Sequence, residues 1–423
     1  MNGAYKSLVA QLGLSALTLV TTIIIARLAG AEGFGIYTLV FTWISVLGMA
    51  AVFGVDDLLL KIIPVHKSKE EKALLKGGVL WGNQLVLLIG GSLTLIFALL
   101  VNFSDLKVLN NYAYYYNLSL PVILLFALLH VNQATLRATG QFGIGQLAEK
   151  IIQPLAFVLC LTLTYILGAE VLDIDVVLYR TLSFGTAALV ALCLMWRYFY
   201  QQHKQEQILY KRLEWTKSCF YFALISTLYL LNTRLDVLFL GLFETDAREI
   251  AYYNVAVKFT DLISIPFLVV ATVTMPMFAE LYANKQTEKL QHLYTRVTQL
   301  VSVVVLLGGT LLGIFGNFFL SWYGANFQEG YTVLLILILV KWIHALVGPA
   351  NLLLMMIGFE KQVTSVLAVS VLSTCLFHYY LIPIEGMEGA AWASLIGLSL
   401  FECGVIWVAY QKAGIRTNIF GKW

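Results

Sequence analysis

The sequence predicts an all-α polytopic membrane protein of about twelve transmembrane helices, and three observations lead there. Sixty per cent of the 423 residues are hydrophobic and only 12% are charged, against about 25% charged in ordinary soluble domains. Apolar stretches of about 20 residues, long enough to cross a bilayer as helices, recur along the whole chain. Lys and Arg collect in alternate connections between those stretches, as they do in membrane proteins of fixed orientation.

The spans are bounded by polar punctuation. In order they are predicted at 6–29, 36–60, 77–101, 113–136, 144–168, 174–198, 218–242, 250–280, 294–320, 331–358, 361–383 and 388–410. Strands of a membrane barrel would be about ten residues long with alternating character, which these are not. The first run carries an early Lys6, exceeds a cleavable signal in length and ends in Arg27 with no small-residue cleavage pattern following. It reads as a retained helix. Pro154, Pro266 and Pro349 fall inside spans five, eight and ten, where each removes a ladder hydrogen bond and is expected to kink its helix.

The basic connections are KIIPVHKSKEEKALLK (61–76), RYFYQQHKQEQILYKRLEWTK (197–217), NKQTEKLQHLYTR (284–296) and the tail QKAGIRTNIFGKW (411–423). About 19 of the 27 Lys and Arg lie on that side, and only Arg27, Lys107 and Arg248 border the opposite face. The opposite loops lean acidic, as in GAEVLDIDV (168–176) and FETDAREI (243–250). The positive-inside rule therefore puts both termini in the cytoplasm, in agreement with an even helix count.

The longest polar connection, around 199–217, follows span six and divides the chain into two six-helix halves, 1–205 and 206–423. Transporters built from internal repeats share this layout. Weak echoes accompany it: GFGIY (33–37) and EIAYY (249–253) open spans two and eight, RLAGAEGFGIY (27–37) resembles RATGQFGIG (137–145), and EGMEGAAW (385–392) has the same small-residue and aromatic texture.

Charges inside the apolar spans mark candidate functional residues. Arg27, Arg180, Arg234, Lys258 and Lys341 all map to the half of the membrane away from the cytoplasm. Facing lipid near the centre, each would cost about 2.5–3.5 kcal/mol, so a wet cavity or a partner charge is expected. In LLNTRLDVLFLGL (230–242), Arg234 and Asp236 are two residues apart and would point to opposite faces of a continuous helix, with Asn232 on the face of Asp236. Lys258 and Asp261 share a face and could pair. Glu402 is an isolated acid in span twelve; Asp56 and Asp57 end span two near the interface. An excess of fixed cations would attract a polyanion, and the Arg fork matches phosphate oxygens, which points to a phosphorylated lipid or an anionic solute. Cys160, Cys193, Cys219, Cys375 and Cys403 show no paired or metal-ligand spacing and read as small buried hydrophobes. His130, His344 and His378 show no metal spacing either and read as bundle-facing polar residues.

The segments IIIARLAGAEGFGIYTLVFTWISVLGMAAVFGVDDLLLK (23–61), NTRLDVLFLGLFETDAREIAYYNVAVKFTD (232–261) and IEGMEGAAWASLIG (384–397) resemble the multidrug/oligosaccharidyl-lipid/polysaccharide exporter superfamily. More narrowly they resemble its O-antigen and polysaccharide (Wzx-type) flippases. The resemblance implies two pseudo-symmetric six-helix bundles around a central cavity, with spans one, two, seven and eight at the seam. It implies alternating access that moves an undecaprenyl-diphosphate-linked oligosaccharide from the cytoplasmic to the outer leaflet of the bacterial inner membrane. On that reading Arg27, Arg234 and Lys258 lie on seam spans as diphosphate contacts, with Arg180 and Lys341 on other spans as further candidates.

Two rival readings accompany it. One is a cation-coupled multidrug exporter of the same fold, which fits poorly with a cationic cavity. The other is a membrane enzyme of polysaccharide assembly, a polymerase, ligase or acyltransferase. The short outer loops and the lack of paired carboxylates or a nucleophile–base spacing speak against that enzyme. No GxxxxGK[ST] motif occurs, so direct ATP use is not expected, and no bound cofactor or metal is. Asp236, Asp261 and Glu402 are the candidates for coupling to a proton or sodium gradient. The expected partners are the lipid-linked glycan, membrane lipids and other polysaccharide-assembly proteins, with no nucleic acid.

Overall fold

The computed structural model describes residues 2–168, 171–243 and 245–417. The end of the basic tail (418–423) and Ala169, Glu170 and Glu244 of the acidic loops lie outside the described residues. Among the described residues there are helices and turns and no strand. The contacts group the chain into two compact units, Ile36–Arg234 and a second formed by Met1–Gly35 with Leu235–Trp423. Helix α1 (Asn2–Val52) contributes to both.

The unit Ile36–Arg234 contains the rest of α1 followed by α2 (Val55–Ser68), α3 (Lys72–Phe103), α4 (Lys107–Asn110) and α5 (Ala113–Ala138). It continues through α6 (Phe142–Leu147), α7 (Gln153–Ile166), α8 (Asp173–Met195) and α9 (Arg212–Asn232). Helix α5 is the hub and packs on α2, α3 and α8. Aromatic side chains fill its interior. Tyr116 is fully buried and meets Phe97 edge-on at 5.5 Å, and Trp81 meets Trp215 at 5.5 Å.

The other unit contains the start of α1 with α10 (Leu235–Leu242), α11 (Ala247–Ile263), α12 (Ile265–Ala283) and α13 (Thr287–Ile314). Then come α14 (Gly316–Ser321), α15 (Tyr331–Val347), α16 (Ala350–Met356) and α17 (Glu360–Val408). Helix α15 is the hub here, packed on α11, α13 and α17, around a core of Val301, Val305 and Ala345.

Eight helices among the described residues are long and apolar enough to cross a membrane, or nine when α9 and α10 are taken as one broken span. Two of the eight are too long to be single crossings, and each is interrupted at a left-handed glycine: Gly30 (φ 71°) in α1 and Gly386 (φ 55°) in α17. Dividing those two gives eleven, and the remaining expected span, 250–280, coincides with α11 and α12, which are separated by a break at Ser264. Two of the three prolines act as breaks: Pro266 opens α12 after a break at Ser264, and Pro349 stands just before α16 after Gly348 (φ 81°), places where no ladder donor is needed. Pro154 lies inside a helix continuous over 143–166, directly after a π-helical turn (Ala148–Ile152), where the ladder loses a donor as expected. One expectation fails: of the five cysteines only Cys219 is buried, while Cys193 and Cys403 are exposed, as small apolar residues on a lipid-facing helix surface can be.

Candidate functional site

The site is built from α15 outward. Lys341 and His344 are three residues apart and share a face of α15. Lys341 Nζ lies 2.9 Å from Asp261 Oδ1 of α11, an ion pair half open to the surface. His344 Nδ1 lies 2.5 Å from Glu402 Oε1 of α17, and that carboxylate is almost wholly buried. Around the pair, the Phe267 ring sits 4.4 Å from the His344 ring, and Ser302 donates to Ala345 O at 2.7 Å. One helix thus carries two charge-bearing contacts to two different neighbours. The isolated acid expected at Glu402 is therefore paired, and Asp261 takes Lys341 as a partner, a contact that the reading of Lys258 beside it did not anticipate. Lys258 itself lies half-buried one turn before Asp261. Sequence spacing did not show these pairings because the partners are 58 and 80 residues apart.

Arg27 serves α14. Its Nε and an NH2 nitrogen donate to Trp322 O and Ser321 O, each at 2.8 Å, which adds donors to carbonyls where that helix ends. The same stretch of α1 is tied by Thr22 to the Tyr323 hydroxyl at 2.7 Å. Tyr323 is packed against Phe34 and Phe259, and burial pushes its phenol up to about 12. The Arg27 side chain remains exposed, and a guanidinium has five N–H donors, so it keeps capacity for a further ligand.

Asp236 opens α10. Its Oδ1 accepts from Val237 N at 2.8 Å, and the carboxylate faces the buried Tyr253 hydroxyl. The fully buried His378 nearby donates from Nδ1 to Thr374 O at 2.7 Å, and its Nε2 has no partner among the described residues. The predicted continuous helix through 230–242 is not there. Helix α9 ends at Asn232, a turn holds Thr233 and Arg234, and α10 begins at Leu235. The helical-wheel argument that set Arg234 opposite Asp236 and aligned Asn232 with it therefore fails, because the wheel is interrupted between them.

The other unit holds Arg180 and Arg234. Arg180 lies between two aromatic faces, 5.4 Å from Phe157 and 5.1 Å from Phe184. The Gln153 amide, with its oxygen turned toward the guanidinium, accepts at 2.9 to 3.2 Å. Each such cation–π contact is worth about 1–2 kcal/mol when desolvated, so Arg180 is well satisfied by its own unit. Arg234 is different: half-buried, its side chain makes no hydrogen bond or ion pair among the described residues. Asp56 and Asp57, read as interfacial, turn inward at the start of α2: Asp56 is buried and Asp57 accepts from Ser226. No group of three or more potential metal ligands occurs among the described residues.

A family model described as "Polysaccharide biosynthesis protein" matches residues 2–282. No curated protein matches the chain. Among solved structures, the chain is similar to a multidrug resistance MATE family transporter of the MOP superfamily in an inward-facing conformation. That similarity has a TM-score of 0.78 and 16% identity over 95% of each chain. It is also similar to an outward-facing MATE family transporter of the MOP superfamily, with a TM-score of 0.66 and 16% identity over 97% of this chain and 94% of the other. A MOP superfamily transporter from Pyrococcus furiosus, described as having a binding pocket of reverse polarity that suggests a different function, gives a TM-score of 0.66. Its identity is 16% over 96% of this chain and 93% of its own. At that identity the likeness establishes the fold, an all-helical one shared with these transporters.

Proposed function

The chain belongs to the polysaccharide biosynthesis protein family, and from that premise we propose that it is a flippase for a lipid-linked oligosaccharide. The cargo is an undecaprenyl-diphosphate-linked glycan, moved by alternating access from the cytoplasmic to the outer leaflet for surface polysaccharide synthesis. The protein works in the bacterial inner membrane with both termini in the cytoplasm and two six-helix halves dividing near residue 205. Arg234 carries the reading. A half-buried guanidinium in an apolar segment, with no partner among the described residues, is costly to keep. A diphosphate would supply the missing acceptors through charge-assisted, two-pronged hydrogen bonds. Arg27, with donors to spare, and Lys258 are the next contacts, with Lys341 and Arg180 as further candidates.

Coupling falls to Asp236, Asp261 and Glu402. The Glu402–His344 pair suits a proton best, because a buried carboxylate and an imidazole in direct contact can pass one between them. A drug exporter of the same fold is the second reading, favoured by the likeness to multidrug transporters and disfavoured by intramembrane cations that would repel cationic drugs.

The test is translocation of a lipid-linked oligosaccharide in cells lacking their own flippase. Arg234→Ala is expected to lower the rate at least tenfold at equal protein level, and Arg234→Lys to restore part of it. Full activity of Arg234→Ala would remove Arg234 from the mechanism. Run with the proton or the sodium gradient collapsed, the same assay names the coupling ion, and indifference to both discards coupling.

A further inference from the structure

The polar connection 199–217, in the unit Ile36–Arg234, is a built feature. Residues 201–211 lie over the N-terminal end of α3. Leu209 N–H donates to Ala73 O at 3.2 Å, and the Lys76 ammonium donates to the carbonyls of Lys204 (3.1 Å) and Glu206 (2.8 Å). The Glu206 carboxylate lies 3.5 Å from Lys72 Nζ. Gly77 makes the approach possible, since a Cβ there would sit 1.8 Å from Leu209 O. These bonds fix the strap, and with it the start of α9.

The surface at that end of α9 is of mixed character. Lys211, Arg212, Leu213, Glu214 and Lys217 line an open depression of about 470 Å³, three cations to one carboxylate. The Arg212 guanidinium lies 4.7 Å over the Tyr210 ring, and Lys211 also acts on Glu71 across the α2–α3 turn. Leu213, in the middle of these charges, is 73% exposed. From it a stripe at helical spacing runs down α9: Leu213, Lys217, Phe220, Leu224, with Phe220 and Leu224 both exposed. Water would tolerate the cations and disfavour the stripe. Hydrocarbon would do the reverse. A cationic end leading into an exposed apolar stripe matches a phosphate headgroup leading into an acyl chain.

We infer that this surface is a docking site for an anionic membrane phospholipid, its phosphate in the Lys211–Arg212–Lys217 depression and one acyl chain along Leu213, Phe220 and Leu224. The site stands whether or not the chain is a flippase.

The test uses the purified full chain. Retained lipid is counted by native mass spectrometry, and thermal unfolding is followed in nanodiscs of phosphatidylcholine with or without phosphatidylglycerol. The unaltered protein should keep phosphatidylglycerol in preference to phosphatidylcholine and unfold several degrees higher with it. The triple variant K211Q/R212Q/K217Q should lose at least tenfold in phosphatidylglycerol affinity while melting normally in phosphatidylcholine. Leu213→Gln, which leaves the charges in place, should give a smaller loss, and keeps the test open if the triple variant does not fold. A Lys285→Gln/Lys289→Gln control should change nothing. Equal retention of the two lipids, or full phosphatidylglycerol affinity in a folded triple variant, overturns the proposal. So does an equal stabilisation by millimolar inorganic phosphate, which would mean a free-anion site. A tightly copurified protein that phosphatidylglycerol does not displace would assign the face to a protein partner and likewise overturn it.

Discussion

At the scale of single residues, partners decide what an intramembrane charge is for. His344 and Glu402 show this most clearly, since the carboxylate is 4% exposed and the imidazole 25%. Removing one partner strands the other. Truncating His344 to Ala is expected to cost about 2–3 kcal/mol, somewhat under the usual toll for a fully buried pair because the imidazole is partly wet. Replacing both with apolar residues, His344→Phe with Glu402→Leu, should cost less than the single change, because no charge is left buried. Thermal melts of the three proteins in detergent check this; a double variant at least as unstable as the single one refutes the pairing argument. Outside the membrane, Glu71 is held below the usual carboxylate range, first by its hydrogen bond with His66 and then by Lys69 and Lys211. A depressed carboxylate stabilises the fold above its ordinary titration range and loses that contribution as pH falls through its lowered value. The stability gap between the unaltered protein and Glu71→Gln should therefore be open at neutral pH and close under acid conditions. A gap that widens on acidification would contradict the sign. The sequence displayed every one of these charges, but it could not display partners brought together from distant helices.

At the scale of elements, the breaks in the helices were written in the sequence as echoes without their meaning being plain. RLAG (27–30), RATG (137–140) and EGMEGAAW (385–392) each contain a glycine that takes positive φ: Gly30, Gly140 and Gly386. The recurring texture is the signature of a helix that must stop and restart, a conformation side chains with Cβ resist. At Gly386 the restart is also capped, since Glu249 Oε2 accepts from Met387 N at 3.2 Å and would stand 2.7 Å from an added Cβ. At Gly30 nothing lies within 4 Å. Gly30→Ala should thus cost only backbone strain, about 1–2 kcal/mol, whereas Gly386→Ala should cost more because it also displaces the cap. Melting both variants beside the unaltered protein decides the matter, and equal costs would deny the cap a role. The break at Thr233–Arg234 had no such warning. It contains neither Gly nor Pro, and the surrounding apolar residues read as one span.

At the scale of the whole molecule, hydropathy was enough to give an all-helical membrane fold. The requirement that membrane-buried backbone be hydrogen-bonded within itself leaves helices as the only economical reading of such stretches. It was not enough to show how they pack, because side chains facing lipid and side chains facing neighbours are alike apolar. Charge asymmetry adds what hydropathy lacks, namely direction. On this reading the Lys- and Arg-rich ends of α2, α3 and α9 are expected on one side, and the connections near Asp105 and Leu172 on the other. Strong cation bias between alternate loops fixes orientation during insertion. In a background with the five cysteines replaced, a membrane-impermeant maleimide applied to intact cells should label Asp105→Cys and Leu172→Cys. It should reach Ser68→Cys and Gln202→Cys only after the membrane is opened. The reverse pattern would invert the molecule, and would put Arg27 and Arg234 in the cytoplasmic half, where a flippase would meet its cargo first instead of last.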